Sequence, residues 1–397
     1  MSPRWIALAA LAGCSFKPGS GTSDGSAPTG DGSLGDATIV DIDGTIEDAP
    51  AVTCADFMPR ANPQHVEPCD VLPGGAWTVS SLLGIYNTDD GTYAGGADPM
   101  SYEVGDYRVV SVSAFTVSQG ATLRLIGSRP LVVVAWDTIA IAGVIDVSSI
   151  RSDNFMIDGA GANPGDDACN AAGAGESSQD SGGGGGGGFG ASGGAGGDGK
   201  GGNTNNEGGA AGTMVAVPVV VRGGCPGGDG GTGSSRGRAG SGGGGLQLTA
   251  KTSITITGRI TAGGAGGDGG HGDGGGGGGG AGGYLGFDAP SVQLRSGSIV
   301  AANGGGGGTG CDGGTGSDGR NGGLDADPAA GGGENATLCA KPEGGGDGGA
   351  GTKLTGENGS DSPGDSAGGA GGAVGYVLVW SSSLMAQGLV SPAIMQR

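Results

Sequence analysis

The stretch Thr138-Ile139-Ala140-Ile141-Ala142-Gly143-Val144-Ile145-Asp146-Val147 decides the fold. Two alternating apolar positions, Ile139 and Ile141, meet a glycine at 143, and two more, Ile145 and Val147, follow. Successive side chains of a strand point to opposite faces, so this spacing reads as a strand, a tight bend and a second strand. Two further stretches repeat it: Ile254, Ile256, Gly258, Ile260 and Ala262, then Val292, Leu294, Gly297, Ile299 and Ala301. A long glycine tract follows each copy. The three copies read as successive coils of one solenoid, because a unit that cannot bury its own apolar face stacks on its neighbours.

Working outward, the strands that re-enter the coil repeat as well. Gly244-Gly245 precedes Leu246 and Leu248, Gly282-Gly283 precedes Tyr284 and Phe287, and Gly371-Gly372 precedes Val374, Tyr376 and Leu378. Each tract therefore leaves and rejoins the coil at equivalent points, as an insertion does. The continuous apolar run from Leu131 to Trp136 reads as a strand covered on both faces. The expected fold is all-β: a parallel β-helix over 107–397, interrupted by long, mostly irregular glycine-rich insertions at about 149–245, 263–283 and 303–372. Residues 51–106, with Trp77, Val79, Leu82, Leu83, Ile85 and Tyr86, read as an N-terminal cap that blunts the open solenoid end. Residues 14–50, rich in Gly, Ser and Asp, read as a disordered acidic tether.

The chain has 103 glycines among 397 residues, so the core must come from short non-glycine segments. Its formal charge is −21, without a basic stripe, which argues against nucleic acid as a partner. Two states compete for the tracts: an extended threefold helix that bundles because no side chain separates the backbones, and plain coil. No strict three-residue period is evident, so mostly irregular structure with some extended segments is expected. A partial calcium-roll pattern, Gly-Gly-x-Gly-x-Asp, ends at Asp198, Asp268, Asp312 and Asp318. The apolar position that a roll requires next is missing, which leaves these four as weak calcium candidates and no firm metal site.

Setting Cys14 aside, six cysteines remain. Proximity and segment membership couple Cys54 with Cys69, Cys169 with Cys225, and Cys311 with Cys339, one pairing among the fifteen that six thiols permit. An oxidising compartment follows from that pairing. The chemistry-bearing residues are sparse. His65 falls in the cap and His271 in a glycine tract, so neither sits on a rigid strand, and no nucleophile, base and orienter can be assembled from spacing. Asp137, Asp146 and Asp288 occupy comparable coil positions but read as isolated turn or solvated carboxylates. No catalytic residue and no cofactor is expected.

At the N-terminus, Arg4 precedes the apolar run Trp5 to Ala12, too short to span a bilayer, and Leu11-Ala12-Gly13-Cys14 follows. The tetrapeptide resembles a bacterial lipobox. That resemblance implies a signal peptide over 1–13, lipidation of Cys14, and, from Ser15, sorting toward the outer membrane. The coils resemble pectin-lyase-like right-handed β-helices, and the chain as a whole looks like the glycine-rich surface lipoproteins of diderm bacteria. The resemblance implies a non-enzymatic, lipid-anchored cell-surface protein, structural or adhesive, held at the membrane by its lipid and facing a surface glycan or protein. The alternative is a carbohydrate-binding or carbohydrate-cleaving β-helix of the polysaccharide lyase or hydrolase kind.

Overall fold

Ile139 stands beside Ile254, and Ile254 beside Val292; Ile141, Ile256 and Leu294 form the next row. A computed structural model describes residues 56–61, 66–152, 155–169, 172–175, 181–201, 204–231, 235–333 and 338–397, all within the unit Thr53–Arg397. Three sheets of seven, six and six strands run through it. Every pairing in them is parallel except that of Ser101–Val104 with Tyr107–Val112. Each coil contributes one strand per sheet: Leu131–Ala135, Thr138–Ile141 and Val144–Asp146 make one, and Gly245–Ala250, Ser253–Ile256 and Arg259–Thr261 the next. The fold is a parallel β-solenoid with loop insertions.

The period-two pattern explains the interior. Ile139, Ile141, Ile145, Ile254, Ile256, Ile260, Val292 and Leu294 are almost wholly removed from water and belong to one cluster. Each such side chain contributes about 1.5–3 kcal/mol relative to exposure. The strand Leu131–Ala135 is buried at every position, as its unbroken apolar run implies. Its Val132 and Val134 turn outward into a second cluster with Phe57, Trp136, Phe189, Val221, Tyr284 and Tyr376. The seven-stranded sheet is therefore roofed by the first insertion and by the N-terminal segment around Phe57.

Coil stacking reaches further toward the N-terminus than Tyr107. Trp77–Val79 pairs in parallel with Phe115–Val117, and Gly84–Asn87 with residues Leu123 to Ile126. Trp77 stacks on Phe115 at 4.7 Å between ring centroids and meets Tyr86 at 5.5 Å and Tyr93 at 5.7 Å. These rings fill the end of the interior.

One row differs from the sequence alignment. Ile260 pairs with Val300, not Ile299, and Thr261 with Ala301. The bend of the third copy, 295–298, holds two more residues than that of the second, 257–258, where the sequence alignment allowed one, so Val300 and Ala302 enter the core and Ile299 is only partly buried. A one-residue shift exchanges the faces of a strand.

Among the described residues the insertions contain no α-helix and little strand, yet much of their described length is buried and hydrogen-bonded, so the order exceeds what their composition suggested. The segment around Gly275–Gly283 shows how. Gly276, Gly279 and Gly282 donate to Ala367, Ala370 and Ala373; Gly277, Gly280 and Gly283 donate to Asp268, Ala265 and Ala262; Gly278 and Ala281 donate to Gly228 and Cys225. Three other segments donate to it in turn, through Gly184 and Gly187, through Gly237, Gly240 and Gly243, and through Gly305 and Gly308. Residues three apart thus meet the same neighbour, which is the geometry of an extended threefold helix, here with six neighbours around it. A Cβ on Gly276, Gly277, Gly278, Gly279 or Gly280 would overlap a carbonyl oxygen of an adjoining segment. Outer segments need glycine only where they touch the bundle. Gly316, Gly319 and Gly322 donate inward to Gly270, Gly267 and Gly264, and Ser317, Asp318, Arg320 and Asn321 fill the places between. The three-residue period exists, but only within such segments.

Candidate functional site

The tract carboxylates and amides replace missing backbone carbonyls. Asp198 accepts from Gly208 N at 2.8 Å, Asp229 from Ala239 N at 2.8 Å, Asp318 from Gly269 N at 3.0 Å, Asp347 from Gly331 N at 2.9 Å and Asn358 from Ala195 N at 2.9 Å. A side-chain oxygen at the bundle edge satisfies an N–H that has no backbone partner there, as buried donors require. This accounts for the Asp or Asn at these five tract positions.

Of the four weak calcium candidates, Asp268 and Asp318 meet in a hydrogen bond, and the four do not converge on one site. Asp198 and Asp318 bind backbone amides. Asp268 is raised to about 6 by burial and by its hydrogen bond with Asp318, and Arg151 stands 3.6 Å away. Asp312 joins two other carboxylates: its oxygens lie within 4.8 Å of those of Asp273 and Asp365. The Lys341 ammonium donates to Asp312 Oδ2 at 2.6 Å, which neutralises part of that charge. This cluster sits on a small antiparallel sheet of His271–Gly274, Gly310–Thr315 and Cys339–Glu343, cross-linked by Cys311–Cys339.

The coil carboxylates are also dispersed. Asp137 is exposed in the turn after Leu131–Ala135. Asp146 forms an ion pair with Arg124 at 2.9 Å. Asp288 is not the solvated carboxylate expected: it is buried, accepts from Ala61 N at 2.6 Å, and is raised to about 6 by that burial. It fastens the N-terminal segment onto the seven-stranded sheet. His271 faces Thr315 with Nδ1 at 3.2 Å from its hydroxyl oxygen. Cys14, Cys54 and His65 lie outside the described residues, and Cys69, the expected partner of Cys54, is exposed. Cys169–Cys225 and Cys311–Cys339 are disulfides, each within one long insertion. Such bonds persist in oxidising compartments, which places the chain in an extracellular or periplasmic setting.

Sequence reading missed a trough at the root of the first insertion. Its walls are Asp106 and Tyr107, the turn Ser128 to Pro130, the insertion root Gly161 to Asp166, and Val220 to Arg222; the cleft between them measures about 610 Å³. A second cleft of about 540 Å³, reaching Asp89 and Asp158, shares Ser128, Ala162 and Asn163 with the first. Arg222 grips Asp166 through both terminal nitrogens at 2.7 and 3.0 Å, and its guanidinium lies 5.6 Å from the centre of the Phe189 ring. Arg129 pairs with Glu103 at 2.7 Å. Asp89 accepts from Ser128 N at 2.7 Å and from its hydroxyl at 2.6 Å. Asn163, between the two clefts, has φ 52°, and its Oδ1 accepts from Gly242 N at 2.8 Å. The lining residues come from five separate stretches, around 89, 106–107, 126–130, 156–166 and 220–222, without a shared motif. The positive φ of a non-glycine residue is a structural signal that no composition reveals.

No protein-family model, curated protein or solved structure matches the chain.

Proposed function

We propose that the protein is a non-enzymatic, lipid-anchored cell-surface protein of structural or adhesive role, whose solenoid holds the glycine insertions as a stiff outward surface. The packed threefold bundle is the observation that carries this reading. The tract carboxylates of Asp198, Asp229 and Asp347 accept from backbone amides, and the coil carboxylates of Asp146 and Asp288 serve separate structural contacts. Recognition on such proteins is placed in loops carried by a rigid scaffold. The oxidising setting agrees with export, and the lipobox-like Leu11-Ala12-Gly13-Cys14 supports an anchor at Cys14 with outer-membrane or cell-surface placement.

The test has two arms. In cells, the protein is expected in the membrane fraction with the mass of an acylated Cys14, and Cys14→Ala is expected in the soluble fraction. On the surface, Gly278→Val, which disrupts the bundle, is expected to reduce attachment or envelope integrity. Unchanged fractionation of Cys14→Ala would overturn the anchor. Unchanged surface behaviour of Gly278→Val, with the bundle shown to be disrupted by proteolysis, would overturn the display role.

A further inference from the structure

We propose that the C-terminal end of the solenoid binds a second copy of this chain, end to end, through antiparallel pairing of the edge strand Ser383–Ala386 with its equivalent across a two-fold axis. The proposal goes beyond the surface-display reading and does not depend on the lipid anchor.

The edge comes first. Ser383–Ala386, Leu389–Ser391 and Met395–Gln396 are the outermost strands of the three sheets at this end, with no strand beyond them among the described residues. In a parallel ladder, alternate residues turn their N–H and C=O groups to the same neighbour. Ser383 N donates to Pro290 O and Gln387 N to Leu294 O, so the backbone groups of Leu384 and Ala386 point away from the sheet. Such a row is a template for another strand, and proteins ordinarily blunt it with charge, proline or a covering segment. Ser383–Ala386 carries neither charge nor proline.

The opposite end is closed differently. Asn87 N donates to Thr92 O and Ala94 N to Ile85 O, so residues 92–94 cover the outer edge of Gly84–Asn87. The seven-stranded sheet ends there in the antiparallel strand Ser101–Val104, and Trp77, Tyr86 and Tyr93 are buried. At the C-terminal end the inward rows finish on Leu384, Val390 and Ile394, which pack on the core yet stay only partly buried. Met385, Leu389 and Met395 beside them are 40%, 38% and 39% exposed. A cleft of about 440 Å³ carries this apolar surface from Ile394 and Met395 to Met214 and Leu354, without a charged residue in its lining. A continuous apolar patch on an open end marks an interaction site.

Charge identifies the occupant. The chain carries −21, so two copies repel one another over most of their surface. Between Asp365 and Arg397 no residue is charged, and this stretch supplies the whole of the last coil. The N-terminal end instead exposes Asp89, Asp90, Glu103 and Asp106. Contact between the neutral end and its own equivalent brings no like charges together, whereas head-to-tail contact would meet these carboxylates and a covered edge. The contact is therefore self-complementary and closes at two copies rather than growing into a filament. A two-fold axis across a strand sets it antiparallel to its copy, where the outward groups of Leu384 and Ala386 find partners.

Sedimentation velocity of the full chain carrying Cys14→Ala, over a range of concentrations, tests this. A reversible monomer–dimer equilibrium is expected, with the dimer separating into single chains on a non-reducing denaturing gel. Hydrogen exchange at the Leu384 and Ala386 amides is expected to slow as the dimer forms. Met385→Glu adds charge to the exposed rim, and Ala386→Pro deletes an outward N–H without touching the bonds to the neighbouring strand. Each is expected to weaken the dimer at least tenfold, Met385→Glu with its thermal midpoint within a few degrees of wild type. Leu82→Glu, exposed at the opposite end, is expected to dimerise normally. Monomers at every concentration, as when the end takes a different partner, would overturn the proposal. So would open-ended growth, a dimer joined by a disulfide, a dimer that Met385→Glu leaves unchanged, or loss of the dimer in Leu82→Glu.

Discussion

Gly278 has room for a hydrogen atom and nothing larger, because a Cβ there would overlap the carbonyl of Gly185. Adding a methyl group forces two hydrogen-bonded segments apart. Gly278→Ala is expected to destabilise the fold by about 1–3 kcal/mol or more, as overpacking does. Ala210→Ser, at an exposed tract position, is expected to stay within about 0.5 kcal/mol; equal unfolding midpoints in denaturant for the two variants would refute the packing account. Asp288 makes a prediction about pH. Burial raises its carboxyl to about 6 from the ordinary 3.8, so the folded chain holds this proton more tightly than the unfolded chain. Its contribution is complete below about pH 4 and is lost as pH rises through about 6. Asp288→Asn keeps an acceptor for Ala61 N and cannot ionise. Its thermal midpoint is expected to exceed wild type at pH 7.5 and to match it near pH 4; a constant difference across that range would exclude Asp288 as the cause.

At the scale of elements, strand register carries the argument. The row Ile145, Ile260, Val300 faces the core, while Ile299 lies one residue away on the other face. Val300→Asp would bury an unpaired charge and is expected to cost about 3–5 kcal/mol, whereas Ile299→Asp is expected to cost about 1 kcal/mol or less. Chemical denaturation of both variants measures the difference, and the reverse order would restore the alignment that sequence suggested. The apolar alternation, the glycine bends and the re-entering strands were legible because a strand writes its faces into its own sequence. The full length of the third bend was not, since only pairing with Arg259–Thr261 decides which of two adjacent apolar residues turns inward.

At the scale of the molecule, Arg151 joins all three insertions. Its Nε donates to Gly266 O at 2.8 Å, its Nη2 to Ala239 O at 2.8 Å, and its backbone N to Asn321 Oδ1 at 2.9 Å. Buried at the head of the first insertion, it also faces Asp268. Arg151→Ala is expected to accelerate limited proteolysis within all three insertions together, mapped by mass spectrometry; cleavage confined to the first would deny the coupling. The sequence by itself determined the solenoid, the presence of loop insertions in it, and two disulfides, because these depend on local alternation and on cysteines within one segment. Only the tertiary structure decided the threefold bundle, the use of the tract carboxylates and the trough. A glycine carries no side chain to announce its neighbours, and each of these features is made by backbones and polar groups from stretches far apart in the chain.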